Sequence, residues 1–134
     1  MALSYFDKFV GFHQLWVTDG TVEGTHAVAS FGQQPISDLT TIGSRVFFSA
    51  KSAANGAELW TSDGTLSGTL MVKDILPGSD SSGPSNLTNV NGTLYFEAND
   101  GVHGEELWKS DGTVLGTVMV KDVAVAKARP SPPI

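Results

Sequence analysis

The sequence predicts an all-β fold of four-stranded antiparallel sheets, and three observations lead there. The chain repeats itself: "ELWTSDGTLSGTLMVKD" at 58–74 returns as "ELWKSDGTVLGTVMVKD" at 106–122, and "QLWVTDGTVEGTHAVA" at 14–29 is a third version. Each repeat breaks into short segments of Val, Leu, Thr and aromatics separated by Gly, Asn and Asp, the pattern of successive hairpins. Nothing in the chain sustains the 3.6-residue apolar spacing of an amphipathic helix.

The elements follow in order within the best-defined repeat. "SNLTNV" is a first strand, "NG" a tight turn, "TLYFEA" a second strand, "NDGVHG" a longer turn, "EELWKS" a third strand, "DGTVLG" a six-residue loop and "TVMVKD" a fourth strand. "LYF", "ELW" and "VMV" put bulk on both faces of a strand, as expected for a sheet covered on each side. The second and third copies superpose without a gap from Leu39 on Leu87 to Lys73 on Lys121, each pair 48 residues apart. The first copy is shorter: Trp16 precedes Trp60 by 44 residues, and nothing before Leu3 corresponds to "SDLTTI" or "SNLTNV". The chain therefore divides into an incomplete first repeat at 1–32, full repeats at 33–80 and 81–123, and a Pro-rich tail at 124–134, or about 2.75 repeats. A four-stranded sheet with a period in this range is the blade of a β-propeller.

The aspartate-glycine pairs Asp19-Gly20, Asp63-Gly64 and Asp111-Gly112 are read as structural turns. The aspartate accepts from backbone N–H groups two or three residues on, and the glycine takes a positive φ. The second glycines, Gly24, Gly68 and Gly116, are expected to close each loop as a bulge.

With these motifs in place, the chain resembles the ELWxxDGT repeat family, found in tandem in large bacterial proteins. The resemblance covers Tyr5 to Val123 and departs in the first copy, where Gln14 stands in place of Glu58 and Glu106. It implies propeller-like blades and a secreted or cell-surface setting, and no assigned reaction. Residues 1–16 read "MALSYFDKFVGFHQLW", where Asp7 and Lys8 interrupt the apolar run of a signal peptide.

Composition narrows the chemistry. The balance of 8 basic against 14 acidic residues, with a pI near 4.8, argues against nucleic acid as a partner. The absence of cysteine excludes disulfides and thiolate metal sites. The longest apolar runs are far short of the roughly 20 residues of a spanning helix, so no membrane insertion is expected. His13, His26 and His103 occupy non-equivalent places in their repeats and give no spaced ligand set. "NDGVHGE" and "SDSS" lack the alternating carboxylates of a calcium loop, "LPGSDSSGPS" lacks the lysine of a phosphate loop, and no G-x-S-x-G elbow occurs. The reading is a non-catalytic protein without cofactor or metal.

Two functional classes follow. The first is a binding module that recognises a glycan or another surface molecule in the clefts between blades, with Trp16, Trp60 and Trp108 as stacking faces and Glu58 and Glu106 as hydroxyl acceptors. The second is a structural or assembly repeat protein in which those residues only pack. Propellers close with about 4 to 8 blades. Fewer than three repeats predict either a homo-oligomer that completes the ring or further repeats in the same chain.

Overall fold

The computed structural model describes residues 2–7, 12–52 and 55–121, with the backbone alone at 2–7, 12 and 121; the Pro-rich tail lies outside the described residues. These residues form three antiparallel sheets and no helix. The first sheet holds β1 (Ala2–Asp7), β2 (Phe12–Val17) and β3 (His26–Ser30). The second holds β4 (Ile36–Ile42), β5 (Arg45–Lys51), β6 (Ala57–Ser62) and β7 (Leu70–Lys73). The third holds β8 (Ser85–Val90), β9 (Thr93–Asn99), β10 (Glu105–Ser110) and β11 (Val118–Lys121). Each sheet is a meander, neighbours in sequence being neighbours in space.

Strand alternation sorts the second sheet into two apolar faces. The cross-strand partners Phe47↔Thr61 and Ser49↔Leu59 share one face, and Phe48↔Trp60 and Ala50↔Glu58 share the other. Phe47 and Leu59 pack with Val72, Leu94, Phe96 and Trp108, filling the space between the second and third sheets. Val46, Phe48 and Ala50 pack with Leu15 and Val28, filling the space between the first and second. This double coverage is why all five residues from Val46 to Ala50 are buried. The sheets approach most closely at their opening strands, β1 beside β4 and β4 beside β8. Thr40 Oγ1 donates to Leu87 O across the second of these junctions at 3.4 Å.

Irregularities recur with the repeat. In β4 and β8 the register slips between Ser37 and Thr40 and between Ser85 and Thr88. Asp38 (φ 62°) and Asn86 (φ 56°) take the left-handed conformation there, which Asp and Asn tolerate better than other side chains. The bulge lets Leu39 pack on the first core and Leu87 on the second.

The three DGT loops are near copies. Thr21, Thr65 and Thr113 each donate a backbone N–H (2.9, 3.0 and 2.9 Å) and a hydroxyl (2.6, 2.7 and 2.7 Å) to Oδ1 of Asp19, Asp63 and Asp111. The threonine hydroxyl, then its N–H, holds each carboxyl below the usual aspartate range. Gly20, Gly64 and Gly112 have φ of 91°, 95° and 95°, a region that side chains avoid.

The second glycine differs from its expected role. The bulge before the chain leaves each sheet falls later, at Val28, Val72 and Val120, where the register of the last strand slips opposite Leu15/Trp16, Leu59/Trp60 and Leu107/Trp108. Gly24, Gly68 and Gly116 are not left-handed. A Cβ at any of them would run into the carboxylate of Asp19, Asp63 or Asp111, so the glycine is required by close approach. Its N–H in turn receives a partner, the Thr21, Thr65 or Thr113 hydroxyl oxygen, at 2.9, 3.0 and 2.9 Å.

Candidate functional site

The glutamate of "ELW" lies inside the protein. Glu58 is wholly buried on β6, facing the segment that leaves β7 for the third sheet. Its Oε1 accepts from Ile75 N–H (2.9 Å) and Ser82 Oγ (2.7 Å), and its Oε2 from Leu76 N–H (3.4 Å) and Ser82 N–H (3.4 Å). Burial raises the carboxyl above the ordinary glutamate range, partly offset by the Ser82 hydroxyl and the three N–H groups. A hydroxyl-acceptor role needs oxygens that a ligand can reach, and Glu58 presents none. Glu106, 2% exposed, occupies the same buried position on β10.

The three tryptophans have diverged. Trp108 is 6% exposed and packs near-parallel to Phe96, ring centroids 6.5 Å apart. Lys73 places Nζ 5.7 Å from its ring centroid. Trp16 is half-buried on β2, and its Nε1 donates to Gln14 Oε1 at 3.0 Å, so glutamine in the first copy serves the indole beside it. Trp60 is also half-buried, held edge-to-face against Phe31 at 4.9 Å. The indole N–H of Trp60 and of Trp108 is buried without an acceptor, a feature shared by both full repeats.

Trp60 lines an open cleft. A space of about 450 Å³ lies between the first and second sheets, walled by Trp60, Phe31 and Leu66 and edged by Ser30, Lys51 and Ser52. Its lining combines an aromatic surface, hydroxyls and a cation. A second space of about 350 Å³ opens among the DGT loops of the same two sheets, beside Arg45 and Asp63. It has no aromatic wall.

The turn 99–104 uses its own carboxylate. Asp100 accepts from the N–H groups of Val102 and His103 (both 2.9 Å), and its Oδ2 lies 2.8 Å from His103 Nδ1. Burial raises this carboxyl, and the His103 and Val102 bonds outweigh it, leaving it below the aspartate range. Sequence reasoning did not separate Trp60 from its two counterparts. The available signal was Ala29, which stands where the second repeat has Lys73. Compared with models of known protein families, with curated proteins and with solved structures, the chain matches none.

Proposed function

We propose that the chain is a non-catalytic binding module of propeller-like blades that takes up a glycan or another surface molecule in the cleft between its first two sheets. The observation that carries this reading is the half-buried face of Trp60 in a 450 Å³ cleft edged by hydroxyls. Sugars present an apolar ring face and a rim of hydroxyls, and this lining offers a counterpart to each. The propeller arrangement is supported by face-to-face packing of three sheets that converge on their opening strands. Screening an oligosaccharide panel by intrinsic fluorescence tests the reading. Trp60→Phe is expected to weaken the best ligand about fivefold to tenfold, the worth of one aromatic contact, while Trp108→Phe leaves it unchanged. Equal effects of the two substitutions would remove the cleft from consideration, and no ligand in a panel of neutral and acidic oligosaccharides would remove the glycan reading.

A second reading, assembly, has its own observation on the outer face of the third sheet. Leu107 and Val120 are 36% and 44% exposed, whereas Leu59 and Val72, their equivalents in the second sheet, are 0% and 2% exposed under the next sheet. We propose that another copy of the chain covers this face head to tail, forming a ring or an open stack. Glu97, Glu105 and Lys109 stand on it where the second sheet has Ser49, Ala57 and Thr61. Burial, then the neighbouring Glu97, pushes the Glu105 carboxyl up. Covering the pair raises it further, so association takes up protons: it is strongest below the already raised value of the free chain and weakens as pH rises through the higher value of the covered one. Light scattering is expected to find larger species at pH 5 than at pH 8, and Glu97→Gln/Glu105→Gln is expected to associate at both. A monomer in every case at micromolar concentration rules this assembly out.

A further inference from the structure

The two junctions between sheets are built from equivalent positions, and around the tryptophan four of those positions differ in charge. At the second junction Lys73 reaches over Trp108 and donates from Nζ to Thr117 O at 3.0 Å, closing the space. At the first junction Ala29 occupies the Lys73 position, and Trp60 and Thr69 line the open cleft instead. Ser30 and Ser52 replace the carboxylates of Asp74 and Asp100, and Lys51 replaces Asn99. All three replacements line the cleft, and Lys51 is the only charged residue among the described residues that do. The same scaffold thus changes from a lysine-filled junction with two acids to an empty one with a cation, two hydroxyls and an aromatic surface.

We propose that this cleft takes an acidic sugar, a pyranose carrying a carboxylate, with the ring on Trp60, the carboxylate toward Lys51 and hydroxyls toward Ser30 and Ser52. The proposal rests on the glycan-binding reading and names its ligand class. A cation would meet Lys51 with no acid in the lining to offset it, and a neutral sugar would leave the lysine without a function. Lys51 is exposed at the edge of the cleft, within reach of a ligand, and an ammonium-carboxylate contact is a charge-assisted bond, stronger than its neutral counterpart.

The test is a calorimetric titration of the whole chain with tetramers of galacturonate, glucuronate and mannuronate, each compared with its fully methyl-esterified form. The expected result is that at least one acid form binds about tenfold or more tightly than its ester, the difference shrinking in 0.5 M salt. Lys51→Gln is expected to bring acid and ester to the same affinity without altering the melting temperature. Ala29→Lys, which supplies the side chain that fills the second junction, is expected to abolish binding of both. Acid and ester binding equally to the native chain would overturn the acidic class and leave the glycan reading standing. Binding unchanged in Ala29→Lys would overturn the location. Failure of every uronate overturns this proposal, and failure of the neutral panel as well overturns the glycan reading with it.

Discussion

Glu58→Ala is expected to destabilise the fold by about 3–5 kcal/mol, a large part of the roughly 5–15 kcal/mol that holds a domain of this size together. The loss does not come from apolar area. Removing the carboxylate strands the N–H groups of Ile75, Leu76 and Ser82, while the Ser82 hydroxyl keeps Ala57 O as an acceptor; Ile75 and Ser82 are themselves buried. Each buried donor left without an acceptor costs about 1–3 kcal/mol. Glu58→Gln keeps one acceptor oxygen and is expected to lose less. Because the folded carboxyl is raised, its protonated form is favoured on folding. That contribution is complete below the ordinary glutamate value of 4.5 and disappears as pH rises through the raised one. Glu58→Gln therefore removes one pH-dependent component of stability along with the bonds. Urea denaturation at pH 5 and pH 8 measures both. A change under 1 kcal/mol in the alanine variant would mean that water replaces the carboxylate freely, against the burial seen here.

Gly68→Ala is expected to cost about 2–4 kcal/mol, although its backbone conformation is open to alanine. The new methyl group meets the Asp63 carboxylate, which would have to swing away from Thr65 and give up two hydrogen bonds. The same clash couples Gly68 to Asp63. Asp63→Ala removes the obstacle, so the double variant should lose little more than the worse of the two single ones, a coupling of about 1–2 kcal/mol. Additive losses in thermal melts would place the strain elsewhere in the loop.

The β architecture and the turns were legible because they rest on local chemistry repeated within one chain. "SNLTNV" and "EELWKS" coincide with β8 and β10, and the glycine of each DGT has the positive φ its sequence suggests. What was hidden depends on contacts between distant segments. A glutamate beside Leu and Trp reads as a solvent-facing acceptor, since carboxylates are seldom buried. Its partners lie 17 to 24 residues downstream, in a stretch that reads only as a linker. The bulges at Asp38 and Asn86 had a visible sign, a turn-forming residue inside a strand, whose meaning depends on where Leu39 and Leu87 must point. The unequal exposure of the tryptophans could not be read from the motif at all. It is set by the residue that crosses from the neighbouring sheet, lysine in one junction and alanine in the other.

The grip of Glu58 on residues 75–82 also says when this repeat can settle during synthesis. The last strand of the second sheet ends at Lys73, yet the buried carboxylate of that sheet stays without its full set of donors until Ser82 has left the ribosome. A nascent chain halted a few residues after Lys73 holds all four strands and an unshielded charge among them. The connecting segment is therefore the closing part of the repeat that precedes it, and a protease cut within it would loosen that sheet as well as part it from the next.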